Sequence, residues 1–203
     1  MDNIEKELEA GRAVILPTET VYGIFAKALD QEAVNYIYEL KRRPRDKALN
    51  LNVADEKTIR IYSKNQPSYL TKLIHSFLPG PLTIILQANE KVPNWIHSGL
   101  DTVGFRIPAH PKILDLIRKY GPLVGPSANL SGHASGTKYR AIVSEFDQVV
   151  PGIEDDDFLT GQDSTILDIS SSKARILRQG SITKADLLAQ VPELSFEEDE
   201  LPQ

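Results

Sequence analysis

Pro17-Thr18-Glu19-Thr20-Val21-Tyr22-Gly23 sets three hydroxyl side chains and a glycine directly behind a short apolar run. Lys41, Arg42, Arg43, Arg45 and Lys47 crowd a second stretch in which Asp46 is the only acid. Ser127-Ala128-Asn129-Leu130-Ser131-Gly132, with Ser135 and Thr137 beyond, is a third, rich in donors and small residues. Each alone has an ordinary explanation: capping threonines, cations favoured at a helix C-terminus, or a turn of Ser, Asn and Gly. Together they describe a concave site for an anionic, phosphate-bearing ligand. Arginine grips phosphate with a two-pronged fork and lysine adds a mobile point charge. Arg43-Pro44 is expected to bend the chain so that the cations converge on one loop. Small residues around Ser127 would let backbone N–H groups face a nucleotide.

Arg106 stands inside an apolar run, Thr102-Val103-Gly104-Phe105-Arg106-Ile107, where a charge is costly unless paired. Asp101 is its nearest structural partner in sequence; the alternative is a ligand carboxylate. Ser164, Thr165 and Arg178 are similar polar residues at strand positions. Other chemistries are missing from the sequence, which has no GxxxxGK[ST] loop, no strand-linked GxGxxG and no GxSxG elbow. His75, His97, His110 and His133 show no metal-ligand spacing and read as structural or surface residues.

These stretches need elements to position them. A helix is expected over 4–10, ended by Gly11, then a strand over 13–16 halted by Pro17. Asp30 caps a helix to about Lys41. Residues 48–53 alternate as a strand, and Asp55 and Ser68 cap two helices, the second reaching Phe77. Leu82–Leu86 and Thr102–Ile107 read as strands, and Pro111 opens a helix that closes at Tyr120-Gly121. Leu123-Val124-Gly125 delivers the Ser127 loop, and Thr137 caps a helix to Phe146. Strands over 148–150, 164–169 and 174–178 follow, then a Thr183/Asp186 capping box for a last helix. Helices and strands mix without strict alternation. The expected fold is a single α/β domain with a mixed, twisted sheet flanked by helices. Residues 1–190 would form it, leaving 191–203 as an acidic, disordered tail.

The 203 residues are 41% hydrophobic and 25% charged, the balance of a soluble domain with its own core. The absence of cysteine excludes disulfides, thiolate zinc sites and a cysteine nucleophile. It fits a reducing cytoplasm. The polar N-terminus has no signal-peptide core, and no apolar run approaches a membrane span. A net charge of −5 argues against a broad nucleic-acid surface, although it conceals the basic stretch.

In order, PTETVYG at 17–23, KRRP at 41–44, PGPLTIIL at 79–86, TVGFRIP at 102–108, PSANLSG at 126–132, STILD at 164–168 and ILRQG at 176–180 resemble the YrdC-like family of threonylcarbamoyl-AMP synthases. The resemblance spans nearly all the chain to about residue 180. It implies a YrdC-like domain with a concave face of a kind that could also take double-stranded RNA. It implies a nucleotidyltransferase that converts L-threonine, bicarbonate and ATP, with Mg²⁺, to threonylcarbamoyl-adenylate and pyrophosphate. Downstream proteins would carry the threonylcarbamoyl group to adenosine 37 of tRNAs reading ANN codons. By motif, Lys41 and Arg43 would be catalytic. Arg43, Lys47, Thr102, Ser127, Asn129, Ser135 and Arg178 would hold ATP. Thr20, Asn52, Arg106 and Ser164 would hold threonine, and no residue is assigned to metal. Phe25, Lys47-Ala48 and Asn52 depart from the family's glycine, Asn-Pro and histidine. The chain is expected to lack the C-terminal domain of longer members. The alternatives are a non-catalytic RNA-binding or ribosome-maturation factor using the same face, and a related enzyme for another carbamoyl or adenylyl substrate.

Overall fold

The computed structural model describes residues 3–197. In chain order the first half comprises α1 (Asn3–Glu9), β1 (Val14–Pro17), β2 (Tyr22–Lys27), α2 (Gln31–Leu40), β3 (Leu51–Asn52), α3 (Glu56–Tyr62), β4 (Ser63–Lys64), α4 (Leu70–Phe77) and β5 (Leu82–Ala88). The second half comprises α5 (Asn94–His97), β6 (Thr102–Arg106), α6 (Pro111–Tyr120), β7 (Leu123–Val124), α7 (Tyr139–Ser144), β8 (Thr165–Asp168), β9 (Arg175–Arg178) and α8 (Lys184–Gln190).

Several helix ends follow from local chemistry. The Asp30 carboxylate accepts from Glu32 N and Ala33 N at 3.1 and 3.2 Å, answering donors that a helix start leaves open. Asp55 does the same for Thr58 N at 2.7 Å. Thr183 and Asp186 form the expected reciprocal box, and Pro111 opens α6. Ser68 and Thr137 do not cap: α4 and α7 follow Tyr69 and Lys138, neither with a side-chain cap bond.

The strands form one mixed sheet in the order β1-β2-β7-β3-β6-β5-β8-β9, with β4 against β5. The β3–β6 and β5–β8 pairs are parallel and the others antiparallel. Alternation sends the two sets of side chains to opposite faces. Leu51, Val103, Phe105, Leu82, Ile84, Leu86 and Leu167 pack with α2, α4 and α8 in the main core. Asn50, Asn52, Gly104, Arg106, Thr83 and Ile166 fall on the other face, which carries a cleft. A second cluster, in which Ile4, Leu8 and three α6 residues meet Phe25, Leu16 and Leu123, closes one end of that face.

Four expectations need correction. Residues 148–150 are not a strand, and Val149 is almost fully exposed. The strand over 48–53 narrows to Leu51–Asn52, and β2 occupies a segment with no expected strand. The packed chain also runs past 190. Val191 and Leu194 are buried, Phe196 packs on the core, and Ala174 N donates to Ser195 O at 2.7 Å. Residues 198–203, the rest of the expected tail, lie outside the described residues. No helix among the described residues is long and apolar enough to cross a membrane.

Candidate active site

The cleft measures about 260 Å³. Three arginines from distant parts of the chain, Arg43, Arg106 and Arg178, line it together with Ser127, Ser164, Thr18, Thr83, Asn50, Asn52 and Asp163. Sheet register explains the gathering. Asn52 lies beside Arg106 across β3 and β6. Thr83 and Ile166 are neighbours on β5 and β8, and Ile166 faces Arg178 on β9. Gly23 bridges to Ser127 and so brings two motif loops together.

Glycines leave the room. A Cβ on Gly104 would overlap the Asn50 amide, and one on Gly125 would overlap the Phe25 ring and the Asn52 amide. Phe25, the residue where the family resemblance leads one to expect glycine, is fully buried and props this side of the cleft.

The Pro17–Gly23 turn is held by Thr18, whose Oγ1 donates to Val21 O at 2.7 Å and accepts from Thr20 N at 3.1 Å. The buried Thr20 hydroxyl sits 2.8 Å from Thr18 Oγ1 and accepts from Arg106 NH2 at 2.8 Å. That same NH2 donates to Glu19 Oε1 at 2.7 Å. The structural partner of Arg106 is therefore Glu19, 87 positions away, and not Asp101. Arg106 Nε is buried and has no hydrogen-bond partner among the described residues. Tyr22 lines the cleft, but its hydroxyl donates to Asp156 at 2.9 Å and accepts from Asp155 N at 2.8 Å. Burial holds that phenol above its usual titration range.

The basic stretch does not converge as expected. Arg42 pairs with Asp147 at 2.6 Å, and Arg45 lies over the Tyr38 ring and donates to Asn35 Oδ1 at 2.5 Å. Arg43 alone of the stretch lines the cleft, and it also donates to Lys47 O and Ala48 O at 3.1 and 2.7 Å. The Lys47 side chain is exposed beside it. Lys41 does not line the cleft. It is 2% exposed, and its Nζ donates to Ser127 O and Asn129 O at 2.5 Å each. Burial, reinforced by the Arg43 charge, pushes its ammonium down to about 7. Lys41 thus ties the end of α2 to the loop that carries Ser127 and Asn129.

Asn129 is buried and closes the same loop, its amide donating to Leu130 O at 2.8 Å and His133 O at 2.9 Å. Ser135 Oγ donates to Asp163 at 3.2 Å, and Arg178 NH1 lies 3.7 Å from that carboxylate. Arg178 also donates to Ser164 O and Ser164 Oγ, both at 3.0 Å, and Ser164 Oγ is 3.2 Å from Thr83 Oγ1. Thr102 shares the face of Arg106 but opens β6, four residues from it and outside the cleft lining. Asn52 Nδ2 reaches Leu123 O at 3.4 Å. Thr165 is buried and structural, accepting from Gly180 N and Ile182 N.

Glu19, Asp163, Asn50 and Thr83 escaped the sequence reading as site residues. Period-two alternation from Asn52 and Leu82 could have found Asn50 and Thr83. No spacing signal announces Glu19 or Asp163. Among the described residues no three His, Asp or Glu side chains group to hold a metal. Asp163 is the carboxylate lining the cleft.

An open mixed sheet whose polar face gathers arginines and hydroxyls defines a small-molecule site for anionic groups. A family model described as "Telomere recombination", the Sua5/YciO/YrdC domain, matches residues 6–180. The chain belongs to that family. It is similar to a threonylcarbamoyl-AMP synthase of Pyrococcus abyssi, 38% identical over 177 residues, covering 86% of this chain and 52% of the relative. A Bacillus subtilis protein of the same name is 38% identical over 185 residues, covering 90% of this chain and 54% of the relative. The chain thus spans about half the length of these relatives. The crystal structure of P. abyssi Sua5 complexed with L-threonine superposes with a TM-score of 0.84 at 34% identity, covering 95% of this chain and 57% of that one.

Proposed function

We propose that this chain makes threonylcarbamoyl-adenylate from L-threonine, bicarbonate and ATP, releasing pyrophosphate. One observation carries the reading: Arg43, Arg106 and Arg178 line a single cleft with Ser127 and Ser164, and the buried Arg106 Nε–H lacks a partner among the described residues. The threonine-bound relative agrees with an amino-acid site in this fold.

Arg106 would receive the amino-acid carboxylate, with Thr20, Asn52 and Ser164 around the rest of the molecule. The threonine nitrogen joins bicarbonate carbon with loss of water, and the resulting carbamate oxygen attacks the α-phosphorus. The bond to the β-phosphate bridging oxygen breaks, and pyrophosphate takes the electron pair. Arg43 and Arg178, with Lys47 at the rim, would neutralise that growing charge. Ser127 and Ser135 would hold the nucleotide, and Lys41 and Asn129 would fix the loop carrying Ser127. Thr102 would meet the nucleotide only outside the cleft. The cavity is smaller than the roughly 300–1,000 Å³ usual for small-molecule sites, so part of ATP would extend over the open face. The donor set fits Mg²⁺ carried in by the triphosphate, with Asp163 within the cleft; when bound, the ion supplies charge neutralisation at phosphate oxygens. Catalysis here is positioning and charge stabilisation, without a side-chain nucleophile.

In the cell the adenylate would pass to proteins that modify adenosine 37 of tRNA in the cytoplasm. The test is pyrophosphate release from purified protein with ATP and Mg²⁺. Release should require both L-threonine and bicarbonate, and L-serine should substitute poorly. Salt-sensitive RNA binding without turnover would instead favour an RNA-binding role, and turnover with a different carboxylated amine would redirect the substrate.

A further inference from the structure

Glu19 is half-buried beside the cleft yet belongs to none of the groups assigned above. Its side chain is 16% exposed, and that of Arg106 is 13% exposed. Glu19 Oε1 accepts from Arg106 NH2 at 2.7 Å, while Oε2 accepts from Ala109 N at 3.1 Å. Its backbone carbonyl accepts from Thr160 N at 3.0 Å, so three chain segments meet at this residue. The carboxylate thus links the Pro17–Gly23 turn, the end of β6 and the approach to α6.

The consequence falls on Arg106. Both hydrogens of NH2 are directed to protein acceptors, one to Glu19 and one to Thr20 Oγ1 at 2.8 Å. The guanidinium is rigid and planar, so fixing NH2 fixes the whole group. Nε–H is left buried without a partner among the described residues. An unpaired buried donor on a charged group is expensive unless something fills it.

We propose that Glu19 is a positioning residue for the amino-acid substrate, holding the Arg106 guanidinium in the plane it presents to the cleft so that it meets the substrate carboxylate. The inference rests on the threonine reading of the cleft. Glu19 itself does not line the cavity and does not touch the reacting atoms. Two effects oppose each other when its charge is removed. Arg106 becomes a less neutralised cation, which attracts a carboxylate more strongly. It also loses the anchor that fixes its plane, and a free guanidinium must be ordered again with each substrate bound. Orientation outweighs the extra attraction, because a misdirected donor makes no bond at all.

The experiment compares wild type, Glu19→Gln, Glu19→Asp, Arg106→Ala and the Glu19→Gln/Arg106→Ala double variant in threonine-dependent pyrophosphate release. Glutamine keeps the size but sets an N–H against a donor at one end. Aspartate keeps the charge but is one methylene too short to span Arg106 and Ala109 N. Both Glu19 variants should raise the threonine requirement about tenfold while the ATP requirement moves less than twofold. In the Arg106→Ala background the glutamine change should add almost nothing. A lowered threonine requirement would make Glu19 a competitor for Arg106 and overturn the proposal. So would equal changes for threonine and ATP, which mark a general structural role, or no change in folded protein. A wild type that needs no threonine would instead sink the functional reading on which the inference stands. Thermal unfolding of each variant identifies any that do not fold, and Glu19→Asp remains the milder probe.

Discussion

Replacing Lys41 by methionine should change how stability depends on pH. Methionine keeps the length of the stem and removes the ammonium. The folded protein holds this proton with a pKa of about 7, against 10.5 for the ordinary side chain. That difference corresponds to about 5 kcal/mol at about 1.4 kcal/mol per pH unit. The sign follows from which state binds the proton. Below about pH 7 both states carry the ammonium, and the folded state bears the full cost of burying it. Between 7 and 10.5 the folded protein has shed the proton while the unfolded chain keeps it. Unfolded protein then binds more protons, so stability rises with pH. The neutral amine still has two N–H groups, enough for Ser127 O and Asn129 O. Chemical denaturation of wild type and Lys41→Met at pH 6, 7, 8, 9 and 10 isolates the effect, because other titrating groups cancel in the difference. Wild-type stability minus variant stability should climb by roughly 1 kcal/mol per pH unit above 7 and level off towards 10.5. A flat difference across that window would show that the two carbonyls hold the ammonium charged, and would refute the reasoning.

Arg43→Ala should lower adenylate formation at least about a hundredfold, the scale of losing a positioned charge at a developing anion. Its two carbonyl partners sit in a largely exposed loop and can rehydrate, so the loss of stability should stay below about 2 kcal/mol and the melting temperature should fall by less than about 8 °C. Unfolding of the variant in differential scanning calorimetry would mean that the bracing is its main role. Gly125→Ala should cost about 1–3 kcal/mol by forcing a methyl into the Phe25 ring, and Phe25→Leu should return part of it in chemical denaturation. An additive double variant would contradict that contact.

Elements with strong local chemistry were legible. Asp30, Asp55, Pro111 and the Thr183/Asp186 pair each act through neighbours a few positions away, and the structure uses all of them. The strands around Leu82–Ala88 and Thr102–Arg106 were equally plain, because alternation reports which side faces core. β2 was hidden, since Gly23 and the preceding turn residues mask a strand whose pairing with β1 is set by the turn itself. Residues 148–150 have the apolar look of a strand, but only Val150 finds the core.

The site was legible as a set of residues and less so as geometry. Arg43, Arg106, Ser127, Ser164 and Arg178 reach one cleft: Arg106 and Arg178 end strands, Ser127 follows β7, Ser164 leads into β8, and Arg43 comes from the loop after α2. The direction of Lys41 could not be read, as it depends on backbone carbonyls 86 and 88 positions away. The pairing of Arg106 with Glu19 is likewise a product of the Pro17–Gly23 turn lying against the end of β6. Charge counts predicted a cationic cluster over 41–47. Partners contributed by α2 and the segment after α7 disperse it.

The central claim is that one cleft joins threonine, bicarbonate and the α-phosphate of ATP. Mass spectrometry of the product formed from heavy-carbon bicarbonate tests it most directly. The account predicts an adenylate that contains threonine and carries one heavy carbon, absent when either threonine or bicarbonate is withheld. An adenylate of threonine without that carbon, or pyrophosphate release with no threonine-containing adenylate, would contradict it.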